Sequence, residues 1–231
     1  MFSFYAASVF FLLLAPPAIN ATPLSVRTYD GILGGPCVDI IRVPSTSPFT
    51  ASLEQLQGQI SHRVGVQAPT GLLSVHAGRA ISVDNSESQW IVFVAMQSCA
   101  STPAEVGLLQ PQQISLASIR RIELDVYDPA AFDAPVTEIA FLTFRPETTP
   151  EQIEAVDDAI RANADQAIGS HPPSIQGNLV DHPGEFGIFI GWDSREAHAA
   201  NGEQSSPEFI QLLNSTIQFS TLSFSNLRRI V

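Results

Sequence analysis

A strand, a helix and a strand hairpin can be read through residues 37–99 of this chain, and the same order returns through residues 136–195. Val38-Asp39-Ile40-Ile41 is matched by Thr137-Glu138-Ile139-Ala140. The helical stripe Leu53, Leu56, Ile60 is matched by Ile153, Val156, Ile160 at the same three-then-four spacing. Trp90-Ile91-Val92-Phe93-Val94 finds its counterpart in Phe186-Gly187-Ile188-Phe189-Ile190, and Ile119-Arg120-Arg121-Ile122 in Leu227-Arg228-Arg229-Ile230. A period of roughly one hundred residues is too long for a solenoid and suits a small domain that pairs with a copy of itself.

Local signals fill in each copy. In the first, a strand at Val38–Val43 leads to a helix opened by Ser47-Pro48 and running to about Val64. A hairpin follows, Leu72–Ile81 and Gln89–Gln97, then a helical stretch near Pro103–Leu109 and a strand at Arg121–Tyr127. Asp128–Pro135, with two prolines and no periodicity, is the expected linker. In the second copy, Thr137–Phe144 is a strand and Thr149-Pro150-Glu151-Gln152 is a capping box with proline in the first turn. A hairpin, Ile175–Val180 and Glu185–Trp192, turns at Pro183-Gly184. Helices from Ser194 and Pro207 and a strand near Leu222–Ile230 complete the copy. The expected fold class is α+β: two tandem ferredoxin-like (βαββαβ) domains, residues 37–128 and 136–231, whose open sheet faces close on each other as a barrel within one chain.

The apolar run Phe2–Ala15, then Pro16-Pro17 and small residues up to Ala21, reads as a secretory signal peptide over residues 1–21, with a linker at 22–36. The alternative is an uncleaved anchor, although the run is short for a bilayer span. A secreted chain with no stable membrane span after cleavage is the expectation, and Asn214-Ser215-Thr216 is then an acceptor for N-glycosylation. The 45% hydrophobic content supports a folded core, and the net charge of −12 argues against nucleic acid as a partner. Two cysteines, Cys37 and Cys99, flank the first and third strands of the first copy. Antiparallel pairing of those strands brings the thiols within reach of a disulfide; two buried free thiols are the alternative.

The stretch Phe186-Gly-Ile-Phe-Ile-Gly-Trp192-Asp-Ser194-Arg-Glu196-Ala197-His198, followed by Ser206-Pro207-Glu-Phe209, resembles the dimeric α/β-barrel superfamily. It is most similar to the antibiotic-biosynthesis monooxygenase-like proteins and the stress-responsive A/B barrels. The first copy departs from the motif, with Met96-Gln97-Ser98-Cys99 in place of Trp192-Asp193-Ser194-Arg195. The resemblance implies a barrel that takes a small apolar or aromatic metabolite, as a monomer or homodimer. It implies oxygenase, cyclase or lyase chemistry of the kind found in secondary metabolism, or a non-catalytic binding or stress-response role; fold does not choose among these.

His76 and His182, each on or just after the second strand of its copy, are candidate acid/base residues, because imidazole moves phenolic or enolic protons near neutral pH. His198, in the family-like motif, is the third. The plain reading of His76 and His182 is a polar residue at a hairpin end, and that of His198 is packing under Trp192. Trp90 and Trp192 are candidate cavity walls, or core. The five histidines lack paired ligand spacing, so a metal is not expected, and the resemblance, whose members include cofactor-free oxygenases, implies chemistry without an organic cofactor. A haem-binding member would need an unobstructed histidine facing a haem-sized gap. No serine stands in a nucleophile elbow.

Overall fold

The computed structural model describes residues 34–44, 53–82, 88–100, 117–182 and 184–231. The expected leader, the start of the first helix and the helical stretch near Pro103–Leu109 lie outside them. The first half contains β1 (Cys37–Pro44), α1 (Leu53–Gln67), β2 (Leu72–Ser82), β3 (Ser88–Met96) and β4 (Ser118–Leu124). A short helix, α2 (Ala130–Asp133), precedes β5 (Val136–Phe144), α3 (Pro150–Asp165), β6 (Ser170–Leu179) and β7 (Glu185–Trp192). Then come α4 (Arg195–Gln204), α5 (Pro207–Thr216), β8 (Ile217–Ser225) and the two-residue β9 (Arg228–Arg229).

All pairings are antiparallel. β1 lies between β3 and β4, and β2 joins β3. β5 lies between β7 and β8, and β6 joins β7. Two seams, β4 with β6 and β2 with β8, close these strands into an eight-membered cycle, while β9 adds to β2 beside His76. A closed cycle leaves none of the eight strands as an edge, which removes the usual template for aggregation. The β4–β6 seam is tight, since a Cβ on Gly177 would run into the carbonyl of Glu123.

Alternation sorts each strand's side chains between the barrel interior and the helix-covered outer face. Val38, Ile40, Ile91, Phe93, Ile122, Leu124, Ile139, Phe141, Ile175 and Phe189 point inward into one apolar cluster. Outward, Val75, Val92 and Val94 meet Leu56 and Ile60 of α1, while Ile188, Ile190 and Trp192 meet Val156 and Ile160 of α3. Leu56 and Ile60 of the first expected stripe, and Ile153, Val156 and Ile160 of the second, thus lie against the sheet. The α3 start is the expected capping box: Thr149 Oγ1 accepts from the Gln152 N–H at 3.3 Å, and Gln152 Oε1 accepts from the Thr149 N–H at 2.9 Å. Ser194 and Ser206 cap α4 and α5 through the hydroxyl alone, accepting from the Ala197 and Phe209 N–H groups.

Boundaries move in several places. β4 runs three residues earlier than the expected Arg121–Tyr127, because the chain leaves the sheet at Asp125 and Val126 is exposed. β8 starts at Ile217 rather than near Leu222, and β6 already at Ser170, with a register irregularity between His171 and Ile175 that accommodates the prolines. The expected structureless linker contains α2, whose Ala131 and Phe132 are buried in the inward cluster. A disulfide joins Cys37 to Cys99 across 62 residues, as the strand pairing predicts. The chain-entropy model assigns a loop of that length about 4 kcal/mol.

Candidate functional site

His76 is the histidine that the barrel encloses. Its parity on β2 is that of Ser74 and Ala80, which turns the ring inward, and it is 1% exposed. Nε2 lies 2.8 Å from Asp133 Oδ1 on α2, and Nδ1 lies 3.3 Å from Ser74 Oγ. Ser74 Oγ in turn shares a short hydrogen bond with the Tyr127 hydroxyl. With Asp133 ionised, Nε2–H donates to the carboxylate, and Nδ1 is left to accept from Ser74. Arg229 Nη1, on β9, donates to the second Asp133 oxygen at 3.4 Å. Four separate parts of the chain thus converge on one hydrogen-bonded line, Tyr127–Ser74–His76–Asp133–Arg229.

Burial lowers the His76 pKa below its usual 6.5 against the opposing pull of Asp133, so the ring is held neutral and able to accept a proton. Burial also raises the Tyr127 hydroxyl above its usual 10.0. Tyr127 is therefore held protonated, and it can hand its proton inward only as it takes another from outside. Tyr127 is half-buried while Ser74 and His76 are fully buried, so the line runs from a partly exposed tyrosine through a buried centre to the partly exposed Asp133 and Arg229. Ser74 does not form a hydrolytic nucleophile here, because its hydroxyl is buried and bonded on both sides.

Phe132 from α2 seats this network. Its ring lies 5.7 Å from His76, 5.2 Å from Phe93 and 5.4 Å from Phe189, and it stacks on Tyr127 at 6.2 Å. Both His76 nitrogens are engaged and the Phe132 ring packs beside the imidazole. The haem reading thus finds no open ligand in His76.

The other anticipated residues lie elsewhere. His182 is exposed in the β6–β7 turn, away from the barrel interior, because β6 ends at Leu179 before reaching it. Trp192 and His198 sit together on the outer face beneath α4, at 5.5 Å and edge to face. Trp192 Nε1–H donates to Glu138 Oε2 at 2.8 Å, and His198 Nε2 lies 3.6 Å from the same oxygen. Burial raises the Glu138 carboxyl above its usual range, with His198 and Trp192 pulling the other way. Trp90 is also on the outer face, packed against the α1 cluster with Arg79 over its ring at 5.8 Å. Neither tryptophan lines the barrel interior. Asn214 is exposed near the end of α5. His62 is exposed on α1, and His171 pairs with Asp193 at 2.9 Å. Among the described residues no group of three or more His, Cys, Asp or Glu side chains gathers as a metal site would.

Ser74, Tyr127, Asp133 and Arg229 were not anticipated. The strand alternation that turns His76 inward does the same for Ser74, so that residue was readable. Tyr127 ends the expected strand Arg121–Tyr127 and Asp133 stands in the proline-bearing linker; they reach Ser74 and His76 across 53 and 57 residues, which no local pattern signals.

No protein-family model matches the sequence, and no curated protein sequence matches it. Solved structures do resemble the fold. A candidate monooxygenase from Lactobacillus acidophilus NCFM superposes with a TM-score of 0.59 at 12% identity, over 85% of this chain and 95% of that one. A second candidate monooxygenase, from Fusobacterium nucleatum subsp. nucleatum ATCC 25586, gives 0.61 at 7% identity over 86% and 95%. An anthrone oxidase-like protein gives 0.56 at 13% identity over 85% and 94%. At such identities the likeness is one of fold: the chain has the α+β, mainly antiparallel architecture of the dimeric α/β barrels.

Proposed function

We propose that this chain is an oxygenase-type enzyme that takes a proton from a small aromatic or polyketide-like metabolite, with His76 as the proton acceptor. The observation that carries the reading is a buried, inward-facing imidazole held neutral, with a carboxylate on one nitrogen and a hydroxyl relay to a half-buried tyrosine on the other. That is the arrangement a general base needs: a fixed tautomer, an imidazole kept uncharged by burial and a defined path for the proton. The names of the fold neighbours, two candidate monooxygenases and an anthrone oxidase-like protein, support the choice of oxygenation over other uses of such a base.

In this reading the substrate donates an acidic proton at the Tyr127 oxygen, Tyr127 passes its own to Ser74, and Ser74 passes one to His76 Nδ1. The resulting carbanion supplies the electrons that reduce dioxygen, so the reading requires no metal or organic cofactor. For a methylene between two aryl rings, a carbon–oxygen bond forms to give a peroxide anion, and His76 returns its proton through Ser74 and Tyr127 to make the hydroperoxide. Loss of water then leaves a ketone, so that one dioxygen is consumed and one water released per turnover. Asp133 and Arg229 are positioning residues that hold the tautomer. The proposal also takes the two strand sets as tandem ferredoxin-like units, residues 37–128 and 136–231. It places the chain in the secretory pathway, with residues 1–21 as leader and Asn214 glycosylated.

A second reading, a non-catalytic barrel that serves as container or scaffold, is favoured by the packing of Phe93, Phe132 and Phe189 across the interior. Aerobic incubation with anthrones and phenols, followed by mass spectrometry, separates the two. The enzyme reading predicts products that have gained one oxygen and lost two hydrogens. If every compound returns unchanged and the natively purified protein carries no ligand, the scaffold reading stands.

A further inference from the structure

The barrel carries a second polar layer, away from His76. β1 and β5 are four strands apart in the cycle of eight, hence on opposite walls. Arg42 of β1 shares the inward parity of Val38 and Ile40, and Arg120 of β4 shares that of Ile122 and Leu124. Both side chains reach across the interior to the same ring, Phe141 of β5, with guanidinium carbons 5.3 and 4.5 Å from its centroid. Glu185, at the start of β7, accepts from Arg120 Nη1 at 3.0 Å. Solvent reaches the layer, since Arg120 is 35% and Glu185 26% exposed. The helix α2 lies toward the other end of the same strands. Thr137 at the start of β5 donates to Ala131 O, and a Cβ on Gly191 near the end of β7 would meet Ala134 at 2.7 Å.

This placement of charge is unusual for the chain. Its net charge is −12, it contains no lysine, and all 11 of its cationic side chains are arginines. Two of those converge on a single phenyl ring, and Glu185 is the carboxylate that meets one of them, Arg120. Arginine forks bind carboxylates through paired N–H donors, and their planar groups stack on aromatic rings. A ligand that offers both a flat ring and a carboxylate matches both properties at once.

We propose that the Arg42–Arg120–Phe141 layer is a binding site for a small planar aromatic carboxylate, with Glu185 occupying the carboxylate position when no ligand is bound. The ligand's carboxylate replaces Glu185 on Arg120 and engages Arg42, while its ring stacks in the guanidinium–phenyl layer. This extends the proposed function by naming a ligand class, and it does not depend on His76 acting as a base.

Isothermal titration of the full chain with 2-naphthoate and with its neutral isostere 2-naphthamide tests the site. The acid is expected to bind at least tenfold more tightly than the amide, with the preference shrinking as salt is raised. Arg120→Gln and Arg42→Gln should each weaken naphthoate binding tenfold or more, and Glu185→Gln should strengthen it severalfold by removing the internal competitor. His76→Gln should leave naphthoate binding within twofold, even where it abolishes turnover, so failure of the catalytic reading remains distinguishable. Equal binding of acid and amide, no binding of either, or weaker binding to Glu185→Gln overturns the proposal. The comparison of acid with amide and the Glu185→Gln variant keep the test decisive should either arginine variant fail to fold.

Discussion

Phe132→Ala puts the seating of α2 in the barrel to a quantitative test. Phe132 is 1% exposed and meets Phe93, Phe189, His76 and Tyr127. Truncation removes roughly 2–3 kcal/mol of transfer free energy. A residual void on the order of 70 Å³, at about 24 cal/mol per Å³, adds about 1.7 kcal/mol. The sum, about 4 kcal/mol, falls within the usual range for buried Phe→Ala changes and lowers Tm by roughly 10 °C for a chain of this size. Thermal unfolding followed by circular dichroism measures it. Saturating benzene or indole should recover part of the loss, because an apolar void of this kind accepts small aromatics. Water admitted beside His76 should also relieve the burial that lowers its pKa, moving an NMR titration of that ring back toward 6.5. A loss under about 1 kcal/mol would mean that α2 does not sit in the barrel, and the His76–Asp133 bond would fall with it.

Other perturbations address separate parts of the account. His76→Gln should flatten the acid side of the stability profile. The folded pKa lies below the unfolded 6.5, so the native state is fully favoured above 6.5 and loses stability as pH falls from there toward the lowered value; urea titrations at a series of pH values show this. Glu138→Gln should act in the opposite sense. Its folded pKa is raised, so the wild-type advantage is present below the unfolded 4.5 and lost as pH rises through the folded value, and the variant should gain relative stability toward neutral pH. Gly177→Ala should destabilise by more than about 2 kcal/mol, because the new methyl meets a backbone carbonyl at the β4–β6 seam. The paired change Cys37→Ser with Cys99→Ser should cost about 2–4 kcal/mol in denaturant unfolding.

Much of the framework was legible because it is written locally. The α3 capping box, the apolar stripes of α1 and α3 and the alternation on β3 and β7 each need only a short window of sequence. The cysteine pair followed from strand pairing one level up. Alternation on β4 likewise put Arg120 on the same side as Ile122 and Leu124, so its inward direction was readable although its significance was not. What escaped was non-local or lay in irregular chain. Phe132 and Asp133 stand among prolines with no period to mark a helix, yet they complete the core and hold His76. His182 looked equivalent to His76 by position, but the shorter reach of β6 leaves it in a turn. The motif around Trp192 and His198 describes packing on Glu138 beneath α4, a contact set by two strands and a helix together.

The central claim is that His76 accepts the proton whose removal starts oxygen chemistry, and initial rates of oxygen consumption test it most directly. The measurement compares wild-type protein with His76→Gln on an anthrone-type substrate near neutral pH, with thermal melts confirming that both are folded. The account predicts wild-type uptake with one dioxygen per ketone formed, and a loss of about 10²-fold or more in the variant. Uptake by folded His76→Gln at the wild-type rate would contradict it.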